Sequence, residues 1–233
     1  MISATIAATS GAPVHTKPLP QSFYHRPTLE IARELLGCEL WVVNGKSVCS
    51  GRLVEVEAYI GEEDPACHAH RGQTRRNEVM YGPPGFAYVY FTYGNHWMLN
   101  FVTERPGFPA AVLIRGIEPI EGLPLMRRRR GVKREFDLTN GPGKLTAAFR
   151  ITGEDNGASL CGPRFLVTPG QSAAKERIAA GGRIGVNEGH ERPWRFFYDG
   201  NPWVSKFRRG PKAPLRWTGR TEGLNHSTSV LER

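Results

Sequence analysis

The stretch Gly51-Arg-Leu-Val-Glu-Val-Glu-Ala-Tyr-Ile-Gly61 decides how the chain is read. Between its two glycines, β-branched and acidic residues alternate as they do along a strand. Successive side chains on a strand point to opposite faces. Val54, Val56 and Ala58 are therefore expected on a core face, and Leu53, Glu55, Glu57 and Tyr59 on the other. The second set brings a carboxylate to within about 7 Å of an aromatic ring by strand rise. Upstream, Cys38 to Val43 reads as a strand and Asn44-Gly45 as a hairpin turn, so the partner strand runs from Lys46 toward Glu57. Downstream, Tyr88-Val-Tyr-Phe-Thr-Tyr93 is a second aromatic strand closed by Gly94-Asn95, and the return strand, His96 to Val102, carries Asn100. A carboxylate, several tyrosines and an amide on neighbouring strands predict a flat, polar-rimmed slot for a planar ring.

Length and charge bound the rest. The chain has 233 residues and 39% hydrophobic content, which suits one compact domain. Its formal net charge of +9 is uneven: residues 1–120 hold 10 Lys/Arg against 11 Asp/Glu, and residues 121–233 hold 21 against 11. A basic half points to a polyanionic partner, although a solvated basic surface would give the same count. Cys38, Cys49, Cys67 and Cys161 show no CxxC spacing and read as reduced thiols of an intracellular protein. Met1 to Lys17 has neither a basic start nor a sustained apolar run, so no signal peptide is expected. No window approaches the roughly 20 apolar residues of a membrane span. The expected location is cytoplasmic, nucleoid-associated if the source is bacterial, with no membrane partner.

Outside the strands, Ile31, Ala32, Leu35 and Leu36 form a helical stripe that Gly37 stops. Gly61 to Gly85 lacks apolar periodicity and reads as a long loop, of the kind that is functional or mobile, with Asp64, His68, His70, Arg71, Thr74, Arg75, Arg76 and Asn77. Ala110 to Ile117 is an apolar strand interrupted by Arg115, which needs a partner or a wet cleft. Pro119 is expected to open a helical stretch ending in Arg127-Arg-Arg-Arg130, and Asn140-Gly-Pro-Gly-Lys144 precedes a helix from Leu145 to Phe149. Arg164 to Val167, Arg183 to Val186 and Trp194 to Tyr198 read as later strands, and Gly200 to Val204 as a turn that buries Trp203. The expected division is a flexible segment at 1–21, a compact domain at 22–207 and a basic flexible tail at 208–233.

Several motifs admit more than one chemistry. Glu55 and Glu57, about 7 Å apart, could be the acid and base of an inverting sugar hydrolase, but two acids at alternate strand positions are common. Tyr93 at a hairpin tip has little core to fill and could act as a wedge between base pairs. Cys67-His68-Ala-His70 with Asp64 has metal-like spacing, yet ligands from one tight loop seldom complete a tetrahedral site and no second cluster follows, so no metal is expected. Gly141-Pro-Gly-Lys144 lacks the remaining residues of a nucleotide-triphosphate loop; its helix start and Lys144 could still grip a DNA phosphate. Arg127 to Arg130 is a solvated face that would add salt-sensitive affinity on DNA.

Taken together, these strings resemble the alkyladenine (3-methyladenine) DNA glycosylases. The likeness starts at Gly51 to Gly61 and runs through His68, Gln73-Thr74, Arg76-Asn77, the Tyr88 to Tyr93 hairpin and Asn100. It continues through Leu113 to Gly122, Gly141 to Leu145, Arg183 to Val186 and Pro202 to Ser205, roughly residues 22–207. The resemblance implies an α+β single domain, with a curved antiparallel β-sheet flanked by helices and a protruding β-hairpin. It implies a monomer that flips a damaged purine nucleotide out of double-stranded DNA and hydrolyses its N-glycosidic bond without a cofactor. Glu57 would activate water, which Arg115 and the carbonyl of Ile184 would help to hold. Tyr59, His68 and Tyr90 would sandwich the base, Asn100 would screen its edge, and Tyr93 would fill the gap in the duplex. Thr74, Arg76 and Lys144 are expected on the DNA. Met98 stands where the family has a smaller thiol, and His68 to Asn77 is one residue shorter; both bear on which bases fit. No lysine lies between Gly51 and Asn100, so a water-using, monofunctional reaction is expected rather than a Schiff base. The rival reading is a non-catalytic nucleic-acid binder.

Overall fold

The computed structural model describes residues 17–170 and 176–206. Of the segments expected to be loose, residues 1–16 and 208–233 lie outside these. Helices α1 (Gln21–Tyr24) and α2 (Thr28–Glu34) lead into the hairpin β1 (Glu39–Asn44) and β2 (Ser47–Ile60). After the long loop, with its 3-10 turn at Glu78–Tyr81, come β3 (Ala87–Thr92), β4 (His96–Val102) and β5 (Ala110–Glu121). Helices α3 (Leu123–Arg130) and α4 (Pro142–Phe149) follow, then β6 (Phe165–Thr168), β7 (Ile178–Gly181) and β8 (Arg195–Tyr198). The stripe Ile31, Ala32 and Leu35 is fully buried, and Gly37 after it sits at φ 89°, the left-handed stop that glycine supplies.

The strands form one curled antiparallel sheet in the order β3-β4-β5-β2-β1-β6, with β8 on β2 and β7 on β8. Strand β2 is its spine. One edge pairs with β5 from Ser50 to Ile60; the other is shared between β1, along Ser47–Arg52, and β8, along Glu55–Glu57. A strand paired on both edges has no free backbone groups, so both of its faces can be covered. On one face Val56, Ala58, Val89, Leu99, Phe101, Val112 and Ile114 join the main core under the helices. On the other, Tyr88, Val102 and Ala111 join Cys67, Ala69 and Met80 from the long loop. The fold is thus α+β in a single sheet, as the resemblance implied.

Three local expectations are corrected. Leu53 lies with Val54 in the main core rather than with the glutamates. The cause is a pair of opposed register shifts: Leu53 faces Ile117, Glu55 faces Gly116, and Val56 faces Ile114. One extra residue on β2 and then one on β5 turn Leu53 and Val54 the same way and leave Arg115 in the kink. Pro119 does not open a helix. It remains in β5 opposite Gly51, at the next register shift, where a residue without an N–H is tolerated; α3 waits for Gly122 at φ 80°. Arg183 to Val186 is not a strand, because β7 has already ended at Gly181 and Gly185 turns at φ 79°.

Among the described residues no helix is long and apolar enough to cross a membrane, and all four cysteines are unpaired. Gly116 fills the kink under tight constraint: a Cβ there would lie 2.7 Å from the Trp203 carbonyl oxygen and 3.1 Å from Glu55 Cβ. Gly116→Ala is expected to cost about 1–3 kcal/mol, the usual penalty of overpacking. Urea unfolding would show this as a lower midpoint at unchanged slope.

Candidate active site

The register of the sheet assembles the site. Glu57 on β2 pairs with Leu113 on β5, Leu113 with Asn100 on β4, and Asn100 with Tyr88 on β3. At about 4.8 Å per strand, this row crosses about 14 Å of sheet on the face away from the helices. Beside it lie Tyr59, on the same strand as Glu57, and the pair Tyr90 and Met98. The long loop adds His68, and the segment after β7 adds Ile184. All of these groups except Glu57 line a cavity of 290 Å³. That is near the lower end of ligand pockets, about 300–1,000 Å³, and suits a single ring system.

Glu57 is completely buried behind the wall of this cavity. Three donors hold its carboxylate: the Tyr59 hydroxyl at 2.9 Å and Arg115 Nη1 at 3.1 Å on Oε2, and the Ile184 N–H at 2.7 Å on Oε1. Tyr59, Arg115 and Ile184 all line the cavity. A carboxylate offers about four acceptor positions, so one remains, on Oε1. The recorded contact from Ile184 is through its N–H to the acid.

Arg115 also donates through Nε to Glu55 Oε1 at 3.1 Å, and so links the two acids. Glu55 also takes Arg195 Nε at 2.7 Å and both the N–H and the hydroxyl of Ser205, at 2.6 and 2.7 Å. Burial pushes the Glu55 carboxyl up, but the charges of Arg115 and Arg195 and the Ser205 bonds outweigh it and hold the group below its usual range. Two carboxylates and two guanidiniums make a neutral buried cluster, the condition under which such charges survive in a protein interior.

The ring-bearing residues form the cavity wall. His68 and Tyr90 touch edge to face, with centroids 4.4 Å apart, so they act as one wall rather than as two sides of a stack. His68 Nδ1 lies 2.9 Å from the Tyr88 hydroxyl. Burial against these rings, with Arg76 nearby, pushes the His68 pKa down to about 4. Burial likewise raises the Tyr59 phenol, and the Tyr90 phenol to about 12. At neutral pH the aromatic lining is uncharged. Asn100 is buried and donates to the Tyr88 carbonyl at 3.1 Å, which fixes its amide toward the cavity wall.

The residues expected on DNA divide. Tyr93 stands at the hairpin tip, 77% exposed at φ 51°. Thr74 instead spends its N–H and its hydroxyl on Asn77 Oδ1, at 2.6 and 3.1 Å. Arg76 binds the Phe91 carbonyl at 2.9 Å and lies over the Tyr90 ring. Lys144 is held by Asn140 at 2.8 Å and Asp137 at 3.3 Å. The arginine run of α3 is also largely occupied: Arg127 pairs with Glu135, Arg129 with the Ala148 carbonyl and Arg130 with the Asp137 carbonyl. Among the described residues no group of His, Cys, Asp and Glu side chains is arranged to hold a metal. Asp64 and His70 have other partners, Arg183 and the Glu62 carbonyl. Sequence reasoning missed the Asp64–Arg183 pair and the Ser205 anchor of Glu55, whose partners lie 119 and 150 residues apart.

The chain is similar to known proteins over most of its length. Residues 22–202 match the profile of the family described as Methylpurine-DNA glycosylase. A protein of Carboxydothermus hydrogenoformans is 47% identical over 189 residues, covering 81% of this chain and 98% of that one. One from Methanocella arvoryzae is 50% identical over 192 residues, covering 81% and 96%. Both bear the name 3-methyladenine DNA glycosylase, given by inference. The protein is thus an enzyme of the DNA glycosylase class. More particularly, the chain belongs to the methylpurine-DNA glycosylase family.

His68 should titrate well below the value of about 6.5 for a free imidazole. Its folded pKa is depressed, so its contribution to stability is present above about 6.5 and is lost as pH falls toward 4. An NMR titration of the imidazole would check this; a midpoint at or above 6.5 would contradict the neutral lining.

Proposed function

We propose that the protein excises alkylated purines, 3-methyladenine foremost, from double-stranded DNA by nucleotide eversion and a Glu57-activated water. The observation that carries this reading is the buried Glu57 carboxylate, gripped by three donors beside an aromatic cavity with one acceptor position left. A glycosidic carbon is hidden in a duplex, so the nucleotide must be turned out, at a cost of a few kcal/mol. Alkylation at N3 or N7 gives the purine a positive charge. Uncharged phenol rings offer it negative faces worth about 0.5–2 kcal/mol, and a neutral His68 does not repel it. As the base departs, the sugar becomes oxocarbenium-like. Glu57 stabilises that cation and takes a proton from the water that adds to the anomeric carbon. Arg115 keeps the acid ionised and oriented, and Ile184 borders the water position. Tyr59 takes one side of the base and the His68–Tyr90 wall the other, while Asn100 and Met98 limit its edge. Tyr93 occupies the space that the nucleotide leaves.

In this reading residues 22–207 form the working domain, acting as an intracellular monomer. Phosphate contacts fall to the hairpin side and the start of α4; Thr74, Arg76 and Lys144 shape those surfaces and would have to exchange internal partners to reach a phosphate. Hypoxanthine, ethenoadenine and 7-methylguanine are further candidate substrates. A sugar hydrolase using Glu55 as its second acid is disfavoured, because four donors already occupy Glu55. A non-catalytic binder would release no free base from methylated DNA.

Glu57→Gln should slow base release about 10²–10⁴-fold while leaving DNA affinity intact, as measured by single-turnover excision and by gel shift. Full activity in that variant would remove Glu57 from the chemistry. Tyr93→Ser should weaken binding to abasic DNA; unchanged affinity would deny it the wedge role.

A further inference from the structure

Asp64 and Arg183 form a completely buried ion pair that the mechanism above does not use. Arg183 Nη1 donates to Asp64 Oδ2 at 2.5 Å and to the Ala58 carbonyl at 3.0 Å. Nη2 donates to Asp64 Oδ1 at 2.7 Å and to the Gly189 carbonyl at 3.1 Å. The backbone N–H groups of Ile60 and Ala66 also donate to the Asp64 carboxylate, each at 3.2 Å, and the part-exposed Arg192 comes within 4.0 Å of Oδ1 through Nη1. Gly189 must be glycine for this approach: it sits at φ 66°, and a Cβ would come 2.6 Å from Arg183 Nη2.

The pair touches the site twice. Arg183 directly precedes Ile184, whose N–H binds Glu57. Its guanidinium also lies 4.8 Å from the centre of the Tyr59 ring and 5.1 Å from that of Trp194. Tyr59 lines the cavity and Arg183 does not. We infer that the Asp64–Arg183 pair sets lesion selectivity: Arg183 caps the back of Tyr59, and Asp64 cancels the charge that Arg183 would otherwise set against a cationic base. This rests on the reading that Tyr59 stacks on the everted purine.

The magnitude follows from geometry. A base stacked on the front of Tyr59, at a contact distance of about 3.5 Å, lies about 8 Å from the guanidinium carbon. At that separation, with an effective dielectric constant of about 20–40, an uncompensated unit charge disfavours a cationic base about 5- to 30-fold. A neutral base feels almost none of this. The pair therefore acts on the ratio between cationic and neutral lesions, which a merely structural role would leave unmoved.

The test uses the full chain and duplexes carrying one cationic lesion, 7-methylguanine, or one neutral lesion, hypoxanthine. Affinities are measured in a Glu57→Gln background so that the lesion survives, with excision measured in the Glu57 parent. Asp64→Asn is expected to lower the cationic-to-neutral affinity ratio several-fold, by no more than about 30-fold. Arg183→Gln, which leaves the carboxylate behind the ring, is expected to raise it. Combining the two should bring the ratio back near the parent value even if overall affinity falls. Changes of opposite sign cannot come from loosened packing, and either single variant is decisive if the other does not fold. A ratio unmoved in a folded single variant overturns the inference while Glu57-dependent excision stands. An active Glu57→Gln overturns the reading of the site itself.

Discussion

Arg115, fixed between Glu55 and Glu57, is the constraint around which the rest of the structure is arranged. Two carboxylates at alternate positions of a fully covered strand would be costly on their own, each ion losing several kcal/mol of solvation. One guanidinium bonded to both, with Arg195 on the same Glu55 oxygen that Arg115 binds, removes the net charge. Arg115 reaches both because opposed register shifts in β2 and β5 put it into a kink. Gly116 beside it leaves room for Glu55 and for the Trp203 backbone. The two acids then diverge. Glu55 takes four donors and holds the arginine, whereas Glu57 takes three and lies behind the wall of the cavity.

Around that centre the sheet supplies uncharged surfaces. Tyr59, Tyr88 and Tyr90 stand on its open face, and the long loop closes over them through His68, Cys67 and Ala69. The loop is anchored through Asp64 to the segment after β7, the same segment that offers the Ile184 N–H to Glu57. Its irregularity therefore coexists with a defined shape. Buried polar contacts set that shape where apolar periodicity is lacking.

The hairpin is braced from behind in the same economical way. His96 packs against Gly143 at the start of α4, and Trp97 packs against Gly153; at each glycine a Cβ would come within 2.7 Å of the ring. Phe91 and Trp97 pack across the strands with their rings tilted by 53° and centroids 4.8 Å apart. A stem held this firmly can present Tyr93 to solvent without the tip collapsing onto the domain.

The sequence alone determined the elements whose signals are local. Alternation marked β2, the Asn44-Gly45 and Gly94-Asn95 turns marked the hairpins, and the order of motifs marked the family. It brought Glu57, Tyr59, Tyr90, Asn100 and Arg115 to one site, since strand periodicity and the family likeness agree there. What only the tertiary structure decided depends on pairing between distant segments. Leu53 went to the core because of a bulge set by β5, and Pro119 stayed in a strand because β2 pairs with it. Arg183 became a buried cap instead of a strand residue because Asp64 lies 119 residues away in the chain and in contact in the fold. Lys144 and Thr74, exposed by their sequence context, found neighbours that already satisfy them. Periodicity records which way a side chain points; it carries no record of the charge or the backbone that arrives from elsewhere to meet it.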